Sequence, residues 1–208
     1  MCNDPNTHVW LKVLLLALGS LLFSANLSIA AEFAPILAKI EKSGGWYITE
    51  TKKEAGSKVR AGVVHAVIDH PKATLEEIVR DYENYPKLIH FLRSAKILSG
   101  PTETQATLRF RAEILKGTVD LKATLDATVL KPTNTRTVVS LKKTKGNLKN
   151  LKAVFTLDEL SPSQTLVSVT LHLDPDLWYV RNGTLTEYNQ VNARRITRAL
   201  KQAATEPK

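Results

Sequence analysis

The sequence predicts an α+β fold in which a curved antiparallel β-sheet wraps around a long C-terminal helix. Three observations carry this prediction. Several long segments between residues 105 and 173 alternate apolar and polar side chains with period two. The turns that separate them are too short for anything but antiparallel pairing. From Thr184 onward the apolar residues return to helical spacing and hold it almost to the end of the chain.

In chain order, residues 32–42 (EFAPILAKIEK) place Ile36, Leu37 and Ile40 at helical spacing, and Ser43-Gly44-Gly45 ends the pattern. A strand from Trp46 and a second extended run from Val59 to Ile68 flank the Ala55-Gly56-Ser57 turn, which predicts a hairpin over about residues 46–68. Pro71 closes it by forcing His70 out of helical geometry. Thr74 is the expected N-cap of the next helix, with Glu76 and Glu77 in its first turn and Leu75, Ile78, Val79 and Tyr82 on one face. That helix ends near Pro86, and a second short helical piece, KLIHFL, follows.

The strands come next. In ATLRFRAEIL, Leu108, Phe110, Ala112 and Ile114 share one face, with Arg109, Arg111 and Glu113 on the other. After a Lys116-Gly117 turn, Val119, Leu121, Ala123, Leu125, Ala127 and Val129 share a face opposite Asp120, Lys122, Thr124 and Asp126. Residues 135–144 and 148–158 pair around Lys145-Gly146-Asn147, and 164–173 supply the last strand. Asn182-Gly183 reads as a turn and Thr184 as the cap of the final helix, whose apolar face carries Leu185, Tyr188, Asn192, Ile196, Ala199, Leu200 and Ala203.

Length and composition bound the function. The 208 residues contain 29 Lys+Arg against 20 Asp+Glu, a net charge of +9, with 43% hydrophobic and 6% aromatic residues. These values describe one globular domain and exclude collagen-like, low-complexity and disulfide-scaffold classes. The apolar run Val13–Phe23 follows Lys12 and precedes Ser28 and Ala30, small residues three and one positions before a cleavage point. Residues 1–30 therefore read as a secretory signal peptide, and the protein as exported, periplasmic in a Gram-negative source. Retention as an uncleaved N-terminal anchor is the alternative. Cys2, the only cysteine, precedes the apolar run, so there is no lipoprotein cleavage box. The expected organisation is residues 31–57 as N-terminal helix and first strand, 58–204 as the main domain and 205–208 as a tail.

One local motif adds a ligand. Asp81-Tyr82-Glu83-Asn84-Tyr85-Pro86-Lys87, within residues 63–99, resembles the opening of the START-like (SRPBCC) superfamily, in its polyketide cyclase/dehydrase and coenzyme Q-binding-protein branch. The resemblance implies a helix-grip fold with an apolar tunnel between sheet and helix that takes a lipid, quinone, sterol or polyketide-like molecule. The expected lining is Leu108, Phe110, Leu125 and Val129 from the strands and Tyr188 and Ile196 from the helix, with Tyr85, Phe91, Trp178 and Tyr179 at the mouth. For each of these, taken singly, ordinary core packing is the favoured reading. Tyr82, Tyr85 and Pro86 have a structural role open to them, packing under the sheet and ending the helix.

Residue constellations that carry chemistry are few. His65, His70, His90 and His172 are far apart in sequence, with no partner cysteine, so neither a metal nor another cofactor is expected. A cyclase- or dehydratase-like enzyme using His90 or Asp81 for proton transfer is one alternative to a carrier, with Arg109 or Arg111 steering a polar substrate; a protein-interaction module of the envelope is another. Lys142, Lys143, Lys145, Lys149 and Lys152 cluster about one hairpin and suit contact with an anionic membrane, or protect a sheet edge from pairing. Arg194, Arg195 and Arg198 either prolong that patch or solvate the helix. Nucleic acid is disfavoured, since no aromatic residues interleave with the lysines. The sequence leaves the oligomeric state open.

Overall fold

The computed structural model describes residues 32–99, 102, 105–114 and 119–206. The signal-peptide reading of residues 1–30, the Lys116-Gly117 turn and the end of the tail lie outside them. Eight strands form one sheet: β1 (Tyr47–Lys52), β2 (Ala61–Ile68), β3 (Leu92–Ser99), β4 (Gln105–Ile114), β5 (Val119–Thr133), β6 (Arg136–Gly146), β7 (Asn150–Ser161) and β8 (Gln164–Asp174). Their order is β1-β2-β8-β7-β6-β5-β4-β3, and every neighbouring pair is antiparallel. The helices are α1 (residues 32–42), α2 (Lys72–Arg80), α3 (Tyr85–Leu88) and α4 (Asn182–Thr205), with a 3₁₀ turn at Tyr82–Asn84 before α3. This is the α+β helix-grip architecture.

The period-two rows become the inner face of the sheet. Leu121, Ala123, Leu125, Ala127 and Val129 of β5 are all buried in one core with Leu141, Phe155, Val169 and Leu171. A smaller cluster forms where Phe33 and Ile40 of α1 meet Leu166 of β8, with Val67 and Ile48 packed against it. Leu166 and Val167 are adjacent in one strand and point to opposite faces. Because Val167 belongs to the main core, α1 covers the outer face of the β1-β2-β8 end.

α4 is seated by one close approach. A Cβ on Gly62 of β2 would lie 2.5 Å from the backbone of Asn189 and Gln190, so only glycine lets the helix come this near. Opposite that gap the buried Asn189 amide spans two strands: its Oδ1 accepts from Leu173 N (3.1 Å), and its Nδ2 donates to Leu173 O (3.3 Å) and Arg60 O (3.0 Å). Thr186 Oγ1 accepts from Arg60 N at 3.0 Å one turn earlier. The helix is thus hydrogen-bonded to backbone at the start of β2 and the end of β8.

Local signals moved by a few residues. α2 begins at Lys72 after Pro71, not after Thr74, so Glu76 lies in its second turn, where it meets Lys131 (2.7 Å) and Thr137 (3.0 Å). Proline at the cap fixes a φ of −56° and removes a donor that has no helical partner, which favours an earlier start. Likewise α4 begins at Asn182, with Arg181 as cap, and Gly183 is helical instead of forming a turn. The short helical piece expected over residues 87–92 stops at Leu88, and Leu92–Ser99 is a strand pairing with β4.

Gly62→Ala is expected to destabilise the protein by about 1–3 kcal/mol, because backbone and not a flexible side chain must move. Thermal denaturation of the variant against wild type checks this, and an unchanged melting temperature would show that α4 is not held by the close approach.

Candidate functional site

Between the inner face of the sheet and α4 lies a narrow cavity of about 50 Å³ that presents only apolar surface. Its floor comes from β4 to β8, its roof from Ile196 of α4, and its wall from Tyr85, Ile89, Phe91 and Leu92 at the junction of α3 and β3. The space has a simple cause. Inward positions on three strands carry alanine, Ala112, Ala123 and Ala153, among larger neighbours such as Phe110, Leu125 and Phe155. A methyl group where the adjacent rows hold leucine or phenylalanine leaves volume that the sheet's curvature prevents α4 from filling.

Tyr85 anchors the wall. Its hydroxyl donates to Val79 O of α2, and its ring sits 5.9 Å from Phe110 and 6.3 Å from Phe155, centroid to centroid. Burial pushes this hydroxyl well above the ordinary tyrosine range, with the Tyr82 and Asp81 charges adding to the effect, so it stays protonated and donating. Only its ring faces the cavity chemistry.

Among the sequence candidates, Tyr85, Phe91, Phe110, Leu125 and Ile196 all reach this cavity. Leu108 and Val129 lie on the same inner face but are packed in the core away from it, because the inward rows of β4 and β5 extend past the end of the cavity. Tyr188 is half-buried and meets Phe91 edge-on at 6.3 Å, beside the lining residues. Trp178 and Tyr179 do not line it: they are 94% and 61% exposed, stacked edge-on at 5.8 Å in the β8–α4 loop. That loop leaves the sheet at Asp174, where a positive φ at Asp176 turns the chain outward. Leu121, Leu141, Leu148, Leu151, Leu171 and Leu173 also line it without having been expected there. Their inward periodicity was visible; their place at the cavity level depends on strand register.

The hairpin between β6 and β7 is built to close one end. Gly146, at φ 132°, lies so near Lys122 O that a Cβ would be 2.1 Å away. Asn147 then locks onto β5, its Oδ1 accepting from Lys122 N (2.7 Å) and its Nδ2 donating to Asp120 O (2.9 Å). Leu148 is thereby turned in to the cavity. The five lysines are not one uniform patch. Lys149 lies 3.9 Å from Asp176 and Lys152 3.5 Å from Glu54, whereas Lys142, Lys143 and Lys145 have no ion pair among the described residues. Arg198 and Arg195 turn elsewhere, to Tyr47 (3.2 Å to its hydroxyl) and to His90 (3.0 Å).

The candidate proton-transfer groups stand outside the cavity lining. His90 Nε2 accepts from Arg195, and burial, then the Arg195 and Arg93 charges, lower its pKa, so the ring is neutral at pH 7. Asp81 accepts from Asn84 Nδ2 at 2.7 Å. Arg111 is paired with Asp120 at 3.1 Å on the outer face of the sheet. No group of three His, Cys, Asp or Glu that could hold a metal exists among the described residues.

Residues 68–184 match the family described as polyketide cyclase / dehydrase and lipid transport, so the chain belongs to that family. No curated protein is similar in sequence. Among solved structures, the fold is similar to a STAR-related lipid transfer protein from Xanthomonas axonopodis, at a TM-score of 0.68 and 12% identity, over 77% of this chain and 94% of that one. Human STARD10 gives 0.66 and 11%, over 77% and 69%. The Zhui aromatase/cyclase from Streptomyces gives 0.51 and 12%, over 70% and 90%. These likenesses establish the START-like fold.

If the alanines create the cavity, filling it costs little. Ala123→Val, at a lining position, is expected to keep or raise stability, whereas Ala127→Val, four residues along the same inward row but away from the cavity, is expected to lose about 1–3 kcal/mol. Chemical denaturation of the pair decides it, and equal losses would show that no usable space lies beside Ala123.

Proposed function

We propose that this protein binds a hydrophobic small molecule, of lipid, quinone, sterol or polyketide-like character, between the sheet and α4, and exchanges it with an anionic membrane outside the cytoplasm. The observation that carries this reading is the wholly apolar cavity under α4 in a chain whose family is described by cyclase, dehydrase and lipid-transport activity. An apolar guest gains by leaving water, about 25 cal/mol for each Å² of apolar surface removed. At about 50 Å³ the cavity must widen to admit such a guest. The wall at Ile89 and Phe91 is the part able to yield, being formed by the short irregular segment between α3 and β3 instead of by the interior of the sheet.

Membrane contact is assigned to the sheet end that carries Lys145, Lys149 and the exposed Trp178–Tyr179 pair. β7 and β8 are in register there through Asn150 and Asp174, next to the cavity residues Leu151 and Leu173. Indole and phenol rings favour the headgroup level of a bilayer, and each lysine near an anionic surface adds about 1 kcal/mol. Export is proposed from residues 1–30, with cleavage after Ala30.

Native mass spectrometry of the protein from its own host's envelope, with organic extraction, tests the central claim. The expected result is a chain beginning at Ala31 that carries one apolar molecule; an empty chain that also fails to take up added lipid would overturn the reading. For docking, Lys145→Glu combined with Lys149→Glu should weaken binding to phosphatidylglycerol vesicles in a salt-dependent manner with little change in melting temperature. Unchanged binding at low salt would remove the membrane from the proposal.

A further inference from the structure

The inner face of α4 carries a polar atom that the fold leaves without a partner. Asn192 is fully buried, and its Oδ1 makes no hydrogen bond; its Nδ2 donates to Tyr188 O at 2.8 Å, within the helix. Leaving such a carbonyl unpaired costs about 1–3 kcal/mol, and a leucine would fit an apolar helix face at no such cost. Asn189, one turn away in the same helix, shows the contrast, since both ends of its amide are satisfied.

Its place on the helix is informative. Tyr188, Asn192 and Ile196 follow one another at i, i+4 and i+8, so they form a single stripe along α4. Ile196 at one end lines the cavity, and Tyr188 at the other packs against Phe91, which also lines it. Asn192 lies between them along the helix; neither it nor Tyr188 lines the cavity at rest, whose surface is entirely apolar, so a ligand reaches them only as the cavity widens along this stripe. Tyr188 adds a complementary group: burial pushes its hydroxyl up to about 12, against the opposing effects of the Asn192 amide and the Arg195 charge, so it remains a donor. No basic or acidic side chain among the described residues lines the cavity, and a charged headgroup drawn inside would find no counter-ion among them.

We propose that Asn192, with Tyr188, is the polar recognition point of the cavity and selects an uncharged apolar ligand bearing a hydroxyl group. The ligand hydroxyl donates to Asn192 Oδ1 and accepts from the Tyr188 hydroxyl, which satisfies the orphan carbonyl only when the cavity is filled. This rests on the cavity being the binding site.

The test uses diphenylhexatriene, a fluorescent hydrocarbon with no polar group, displaced from the protein by oleyl alcohol, its methyl ether or oleyl phosphate. Wild type should bind the probe and release it at an about tenfold lower concentration of the alcohol than of either analogue. In Asn192→Leu the probe should still bind and the alcohol's advantage should vanish, while the melting temperature equals or exceeds that of wild type, because an unpaired carbonyl has been removed. Tyr188→Phe should reduce the advantage and serves as the deciding variant if Asn192→Leu does not fold. Equal displacement by alcohol and ether in wild type, or an advantage that persists in the folded variants, would overturn the inference and assign Asn192 to buried water or to packing. Failure of wild type to bind the probe at all would overturn the cavity reading itself and this inference with it.

Discussion

The seating of α4 through Gly62 and Asn189 is the constraint on which the rest of the structure depends. A helix can pack on a sheet by apolar contact alone, but such contact leaves its height and rotation adjustable. Here three hydrogen bonds from one buried amide to the backbone of Leu173 and Arg60, opposite a glycine that removes the only side chain in the way, fix both. Buried backbone groups that lose such partners are costly, so the position is held firmly. The other residues of α4 inherit this rotation: Ile196 faces the cavity, Tyr188 meets Phe91, and the arginines are directed to β1 and to His90.

With α4 fixed at one end and the sheet curving beneath it, the gap between them is determined by the side chains that fill it. The fold uses large residues wherever rigidity matters, with Phe155 and Leu141 below and Tyr85 tied to α2 at the side. It uses alanine where space is kept. The result is a cavity that is small at rest and bounded on one side by a short loop, which suits a guest that supplies its own apolar volume. The charged and aromatic features lie at the β7–β8 end, outside the core, where water or a membrane surface can reach them.

The same division explains why Tyr85 and His90, five residues apart, have such different roles. Tyr85 is fully enclosed and its hydroxyl is bonded within the protein, which leaves a ring for packing. His90 stands outside the cavity against Arg195, and partial desolvation, then the Arg195 and Arg93 charges, keep it neutral. A proton-transfer group needs access to the reacting atoms as well as a suitable pKa, and neither His90 nor Asp81 is part of the lining.

The sequence by itself determined the strands of β4 to β8, the long final helix and the resemblance carried by Asp81–Lys87, because alternation and helical spacing are local properties written in consecutive residues. It also put Phe110, Leu125 and Ile196 on inward faces for the same reason. It missed β3, whose burial alternates weakly at a sheet edge, and it began α2 and α4 three residues late, since proline and arginine caps are fainter signals than threonine. Trp178 and Tyr179, expected at the mouth, stand exposed on the β8–α4 loop, because a loop's direction is decided by the chain it leaves and by a single positive φ. Only the tertiary structure decided which inward residues sit at the level of the cavity, and which of two asparagines on one helix face finds partners. Those outcomes depend on the register of eight strands and the rotation of one helix, which bring together residues more than a hundred positions apart, a relation that no local pattern encodes.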